Sequence, residues 1–180
     1  RFRSLLNQHN LGKIVLKNCK AGPVPGSTTG TITERFAAMG LATVMERSDF
    51  HPFDKSEKWI GDFSLRAYPL STVVSCKSFT AKERLIVSGL GIELVPTIGF
   101  GWFNNPKEFH EQRCKSYLIR GFNSIYMPEH TRIAVEMGGR EVLNHNGQPF
   151  LRDILDFPRD VLKSVGASGA AKGLVQTRIF

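Results

Sequence analysis

The sequence predicts a mixed α/β domain, a central mixed β-sheet flanked by helices, on three observations. Two short runs, 62–67 and 73–77, alternate apolar and polar residues with the period of two that marks a strand. Helix-start signals stand at Thr31-Ile32-Thr33-Glu34 and at Asn105-Pro106-Lys107-Glu108, each with a capping residue three positions before a glutamate. Beyond the second of these the chain returns to strand-like runs, and this helix-then-strand order suits a sheet with helices packed on it. With 180 residues, of which 41% are hydrophobic, the chain is expected to form one domain over 1–180 with a real core.

In chain order, residues 1–20 are basic with scattered apolar positions, and a short helix followed by a strand at 13–16 is expected there. Residues 21–30, AGPVPGSTTG, combine three glycines with two prolines and read as a loop. They lack the GxxxxGK[ST] order of a nucleotide-binding loop, so a connector is expected and no nucleotide cofactor. A helix follows from near Thr31, with Phe36, Met39, Leu41, Val44 and Met45 on its apolar face. Residues 48–58, SDFHPFDKSEK, are a polar loop interrupted by proline, in which His51 reads as a solvent-facing residue ahead of a general base.

The stretch 59–82, WIGDFSLRAYPLSTVVSCKSFTAK, reads as a hairpin turning at Tyr68-Pro69. Phe63, Leu65 and Ala67 alternate with Asp62, Ser64 and Arg66; Val74 and Cys76 alternate with Val73, Ser75 and Lys77. Lys77 therefore falls beside Ser75 and opposite the start of the partner strand, near Asp62. Next, 92–98 reads as a central strand broken by Pro96, and 99–103 as a turn or loop. A helix over 105–120 has Cys114, Tyr117 and Leu118 inward, Lys107, Arg113, Lys115 and Arg120 outward, and Gly121 as its end.

Two strands are expected at 124–127 and 132–137, separated by Pro128-Glu129-His130-Thr131. Asn146-Gly147 reads as a turn before a helix carrying Leu151, Ile154 and Leu155, and Pro158 opens another short helix to Val165. The small-residue stretch 166–173 reads as flexible, before an edge strand at 174–180. The His145-Asn146-Gly147 run does not make an HNH nuclease, which needs several histidines on a ββα unit.

Bulk properties narrow the function classes. A net charge of +8 favours polyanionic partners, nucleic acid first among them. Cys19, Cys76 and Cys114 are odd in number, widely spaced and without CxxC or Cys/His ligand spacing, which speaks against a disulfide framework or a zinc site and for a reducing, cytoplasmic setting. No apolar run approaches the roughly 18–20 residues that cross a bilayer, so no membrane partner is expected.

An aspartate and a lysine on neighbouring strands are often an ordinary surface pair. The same pair also suits phosphate chemistry, because Mg²⁺ takes one or two carboxylates with phosphate oxygens and water, and a lysine neutralises developing charge. Gly61-Asp62, a short strand, and then Val74-Ser75-Cys76-Lys77-Ser78-Phe79, preceded by a helix bearing Glu34 and followed by a helix and a strand, resemble the PD-(D/E)XK nuclease superfamily, particularly type II restriction endonucleases. The likeness in organisation spans roughly 30–135. It implies a restriction-endonuclease-like core, Mg²⁺ as cofactor, Asp62 as metal ligand and Lys77 as the residue assisting the attacking water.

Two positions depart from that family's pattern. Ser75 occupies the place of the usual acid, and no proline precedes Asp62. The resemblance then implies a second carboxylate from elsewhere, with Glu34, Glu93 and Glu83 as candidates. Glu34 has a second explanation as the acid of a helix cap.

Around this centre Lys82, Arg84, Lys107, Arg113 and Lys115 are candidate phosphate contacts, each also explicable as a solvated charge. Trp102, with Asn104 and Asn105 after it, is a candidate base contact whose alternative is core packing. The expected activity is Mg²⁺-dependent, sequence-specific cleavage of double-stranded DNA by a homodimer matched to a twofold target. The alternatives are a non-catalytic nucleic-acid-binding protein and a ribosomal or assembly protein.

Overall fold

The structure, a computed structural model, describes residues 26–66, 71–78, 95–138 and 141–164. Helix α1 (Gly26–Ala42) leads into strands β1 (Phe50–Pro52), β2 (Phe63–Leu65) and β3 (Thr72–Lys77). Strand β4 (Thr97–Gly101) is followed by a 3₁₀ turn at Pro106–Phe109 and helix α2 (Glu111–Ile119). Strand β5 (Phe122–Met127), helix α3 (Glu129–Met137), strand β6 (Leu151–Asp153), a 3₁₀ turn at Ile154–Asp156 and a helix α4 over 157–164 complete the described residues.

The strands form one mixed sheet in the order β1-β2-β3-β4-β5-β6. β1, β2 and β3 are antiparallel neighbours, whereas β3 through β6 run parallel. The predicted mixed α/β class is therefore the observed one.

Side-chain alternation gives the sheet two apolar faces, as parallel strands require when helices cover both sides. On one face Phe63, Leu65, Val74, Cys76, Ile98, Phe100 and Tyr126 pack with Phe36, Ala37 and Leu41 of α1 and with Phe157 and Val161 of α4. On the other, Ile125, Met127 and Leu151 pack with Cys114, Tyr117 and Leu118 of α2, and Val135 of α3 joins them. The helices expected near Thr31 and Asn105 thus both pack on the sheet, from opposite sides. Among the described residues no helix is long and apolar enough to cross a membrane.

Several elements differ from the sequence reading. α1 begins at Gly26, so the loop expected over 21–30 is helical in its second half, and Thr31 lies inside the helix instead of capping it. Each added glycine costs about 1 kcal/mol in a helix, less than what starting a separate nucleus would cost, so elongation wins. The polar loop over 48–58 contains β1, whose Pro52 is tolerated because this is the edge strand.

The turn expected at 99–103 is instead the end of β4. A Cβ on Gly99 would stand 3.0 Å from the Ile125 side chain, and one on Gly101 would stand 2.3 Å from the Lys77 carbonyl oxygen. Those glycines mark close strand packing, not a change of direction. The single helix expected over 105–120 is broken at His110 into the 3₁₀ turn and α2. Asn105 caps the first piece by accepting the Lys107 N–H at 3.2 Å, and Gly121 ends the second in the left-handed region with φ 84°.

The strand expected over 132–137 is helix α3, and its supposed connector is the helix start. Pro128 occupies the N-cap position, and the buried Thr131 hydroxyl donates to the Phe103 carbonyl oxygen at 2.7 Å, anchoring the first turn. The helix expected to carry Leu151, Ile154 and Leu155 is β6 followed by a 3₁₀ turn, because Leu151 and its neighbours pair with Ile125–Met127. The turn at Asn146-Gly147 is observed, with Gly147 at φ 68° and Asn144 Oδ1 accepting two N–H groups across it. The segments expected at 1–20, 21–25, 68–69, 166–173 and 174–180 lie outside the described residues.

Candidate active site

The antiparallel start and parallel remainder of the sheet bring particular chain ends to one edge. The carboxyl ends of β3, β4, β5 and β6 lie there, and so does the amino end of β2, which runs the other way. Ligand sites of open α/β sheets form outside the carboxyl ends of parallel strands. Asp62 precedes β2 and Lys77 ends β3, so both reach this edge from neighbouring strands.

Asp62 is held firmly. Its N–H donates to the Val74 carbonyl oxygen at 2.8 Å, its carbonyl accepts the Phe53 N–H at 3.1 Å, and its Oδ2 accepts the Cys76 N–H at 2.6 Å. On the β2 side of β3 the carboxylate therefore accepts an N–H where a backbone carbonyl would otherwise serve. Gly61 permits this approach: a Cβ there would stand 2.3 Å from Val73 Cγ1 and 3.2 Å from the Val74 carbonyl oxygen. With 8% of its side chain exposed, Asp62 is a nearly buried anion and needs positive partners.

Two lysines supply them. Lys77 Nζ lies 3.8 Å from Asp62 Oδ2, an ion-pair distance too long for a hydrogen bond, and Lys58 Nζ donates to Asp62 Oδ1 at 3.2 Å. Lys58 Nζ also donates to Glu34 Oε2 of α1 at 2.5 Å. Glu34 is thereby linked to Asp62 through one ammonium group. Thr31 and Glu34 both lie inside α1, so Glu34 is not the acid of a cap at its first residue.

Burial works to lower the Lys58 pKa, but the Glu34 hydrogen bond and the charges of Asp62 and Glu34 outweigh it, so the pKa stands above the ordinary lysine value. Burial pushes the Cys76 thiol well up, and the nearby Asp62 charge adds to that. Cys76 is therefore a packed, protonated thiol at neutral pH and not a nucleophile.

Of the sequence-derived site residues, the structure brings Asp62, Lys77 and Glu34 together. Ser75 is fully buried in the middle of β3, in register with Gly99. A small hydroxyl suits that place, where a carboxylate would be cut off from solvent. Trp102 follows β4 and packs edge-on against Phe36 with ring centroids 5.1 Å apart; its buried indole N–H lacks a hydrogen-bond partner among the described residues.

Asn104 is exposed, and Asn105 serves as the cap described above. Lys107 is exposed on the 3₁₀ turn; Arg113 and Lys115 belong to α2, where Lys115 pairs with Glu111 at 2.7 Å. Lys82, Glu83, Arg84 and Glu93 lie outside the described residues.

Two residues at this edge carried no functional reading in the sequence. Lys58 is one, and its signal was the i,i+4 spacing to Asp62. Trp59 is the other; it is 63% exposed, next to Lys58 in the segment entering Asp62.

The donor set suits a small hard cation. Two carboxylates, Asp62 and Glu34, direct oxygen atoms at a single positive group, and Mg²⁺ is held by one or two carboxylates with water and phosphate completing its shell. Among the described residues no group of three or more His, Cys, Asp or Glu side chains is placed to hold a metal ion, so an all-protein cage of that kind is not formed there. Comparison of the chain with protein-family models, with curated proteins and with solved structures gives no match.

Proposed function

We propose that this protein is a Mg²⁺-dependent endonuclease that hydrolyses phosphodiester bonds of double-stranded DNA, in the manner of a type II restriction enzyme. The observation that carries the reading is the meeting of Asp62, Glu34 and Lys77 at one edge of a mixed sheet, where parallel strands end. Asp62 and Glu34 are the residues that would hold the metal. Bound there, Mg²⁺ supplies a Lewis acid for a phosphoryl oxygen and lowers the pKa of a water molecule.

The chain's own residues do the rest. The Cys76 N–H fixes the Asp62 carboxylate, so the ligand pays little reorganisation when it acts. Lys77 keeps a positive charge beside that carboxylate, where negative charge develops on the attacked phosphate. Trp59, beside Lys58, offers a flat apolar face to a base, and the net charge of +8 draws the duplex in. The homodimer that a twofold DNA site favours belongs to this reading, as does a cytoplasmic setting for the buried free thiols Cys76 and Cys114.

Incubation of supercoiled plasmid with the protein in Mg²⁺, in Ca²⁺ and in EDTA tests the proposal. Nicked and linear products that require Mg²⁺ and vanish in Asp62→Asn and Lys77→Met are expected. Absence of Mg²⁺-dependent cleavage, with salt-sensitive DNA binding retained, would transfer the protein to the second reading, a nucleic-acid-binding module without catalysis. That reading is favoured by one observation, the pairing of both carboxylates with Lys58.

A further inference from the structure

The atoms that would meet a metal ion already meet a cation. Lys58 Nζ lies 2.5 Å from Glu34 Oε2 and 3.2 Å from Asp62 Oδ1. The other Asp62 oxygen is engaged differently, accepting the Cys76 N–H at 2.6 Å with Lys77 Nζ at 3.8 Å. The two Asp62 oxygens therefore divide the work: Oδ2 is fixed to the strand, and Oδ1 faces the ammonium shared with Glu34.

We infer that Lys58 is an internal counter-ion that occupies the cation position between Glu34 and Asp62 and must leave it for a divalent metal to bind. This rests on the reading above that the two carboxylates hold the metal. The physical reason lies in charge and space. A nearly buried Asp62 beside Glu34 requires positive charge close by, and Lys77 alone stands beyond hydrogen-bond distance. An ammonium and a divalent ion compete for the same two oxygens, because like charges a few ångströms apart repel strongly outside bulk water.

Departure is open to Lys58 in a way that it is not to Lys77. Lys58 belongs to a turn-rich stretch between β1 and β2, its side chain is 36% exposed against 20% for Lys77, and its neighbour Trp59 already faces solvent. Lys77, in contrast, belongs to β3 and is paired in register with Gly101.

The consequence is a metal affinity set by two steps, release of Lys58 and then coordination. A ligand whose competent state is only fractionally populated binds more weakly by that fraction, so if about one molecule in ten has the position free, the dissociation constant rises about tenfold. Removing the competitor removes this factor.

Isothermal titration of the full chain with Mg²⁺ and with Mn²⁺ tests the inference without reference to cleavage. Lys58→Met should bind about tenfold more tightly than the wild type. Lys58→Arg, which keeps the positive charge between the carboxylates, should bind no more tightly than wild type, and Asp62→Asn should lose binding.

A second measurement uses the unaltered protein, so it stands even where Lys58→Met fails to fold. In ¹⁵N-lysine spectra assigned with Lys58→Arg, the Lys58 ammonium signal should leave its hydrogen-bonded position as Mg²⁺ is added, with the dissociation constant read by calorimetry. Equal metal affinity in wild type and Lys58→Met, or an unchanged Lys58 signal at saturating metal, overturns the inference while leaving the nuclease reading intact. Failure of every form to bind a divalent ion overturns it too, and plasmid cleavage then decides the nuclease reading separately.

Discussion

The carboxylate of Asp62 accepts the backbone N–H of Cys76 at 2.6 Å, so one side chain closes the β3 ladder and also faces Lys58 and Lys77. Structure and chemistry are joined in that residue, which makes the choice of substitution decisive. Asp62→Ala strands a buried N–H and should cost about 1–3 kcal/mol of stability. Asp62→Asn keeps a carbonyl acceptor for Cys76 and should cost clearly less. Under the proposed nuclease function, both should abolish Mg²⁺-dependent cleavage while duplex binding persists, because what is lost is a metal ligand and with it transition-state stabilisation. Paired denaturant titrations and single-turnover cleavage assays check this. Equal stability loss in the two variants would remove the acceptor role.

Lys77 makes a second, narrower prediction. Its ammonium stands 3.8 Å from Asp62, beyond hydrogen-bond distance, and Lys58 keeps a hydrogen bond to that carboxylate, so Lys77→Met should cost less stability than Asp62→Ala. Under the nuclease reading its single-turnover rate should fall by about 10²–10⁴, the range for a lost acid–base or charge-stabilising group. A Lys77→Met protein cutting at the wild-type rate would place the chemistry elsewhere.

The glycines that admit the site can be ranked. At Gly101 an added Cβ meets the Lys77 carbonyl oxygen at 2.3 Å, a backbone atom that no rotamer change can move. At Gly61 it meets Val73 Cγ1 at 2.3 Å, on a buried side chain with little room, and at Gly99 the nearest atom is Ile125 Cγ1 at 3.0 Å. Gly101→Ala should therefore destabilise most, then Gly61→Ala, with Gly99→Ala mildest, across a range of about 1–3 kcal/mol. Thermal or urea unfolding of the three variants tests the order, and a Gly99→Ala loss equal to that of Gly101→Ala would contradict the close-packing explanation.

The Asp62–Lys77 neighbourhood was legible in the sequence because the strands that carry it have one polar and one apolar set, and a period of two fixes which residues meet. Helix α3 was not legible for the same reason. Its Ile133-Ala134-Val135 run reads as β-branched strand, and what makes it helical is tertiary, the Thr131 hydroxyl bonded to the Phe103 carbonyl and Val135 packed on the α2 side of the sheet. β6 has three residues, too few for a periodic signal, and exists through its pairing with β5. Gly99 and Gly101 carry the composition of a turn, although their role is close approach between parallel strands. Glu34 stood out as an acid on a helix, but Lys58, which ties it to Asp62, is 24 residues away from it, and only folding puts the two together.

Cys114 gives a pH prediction with a defined window. Its thiol is fully buried and donates to the Phe109 carbonyl oxygen at 3.2 Å, and burial pushes its pKa from 9.0 up to about 12. In the unfolded chain the thiol ionises near 9.0, whereas in the folded protein it keeps its proton to about 12. The folded state then binds more protons in that interval, so stability is fully present below pH 9.0 and declines as pH rises toward about 12. The slope from this one group is about 1.4 kcal/mol per pH unit. Cys114→Ala should lower stability at pH 7 through the cavity it leaves, yet flatten the decline above pH 9.0. An unchanged slope in the variant would assign the alkaline loss to other groups.

Under the proposed function, Trp59 provides a test of where a duplex would lie. The chain has two tryptophans, and they differ in surroundings: Trp59 is 63% exposed, whereas Trp102 packs edge-on against Phe36 with its indole N–H buried. Emission from Trp102→Phe therefore reports Trp59, and emission from Trp59→Phe reports the packed indole. In Ca²⁺, which can support binding without turnover, duplex DNA should quench and shift the first and leave the second nearly unchanged. Trp59→Ala should weaken DNA binding by about 1–3 kcal/mol, the usual worth of a base stacked on an aromatic ring, with the slope of affinity against salt unaltered because no phosphate contact is lost. Quenching confined to Trp102, or unchanged affinity in Trp59→Ala, would move the nucleic-acid surface away from the edge where Lys58, Asp62 and Lys77 meet.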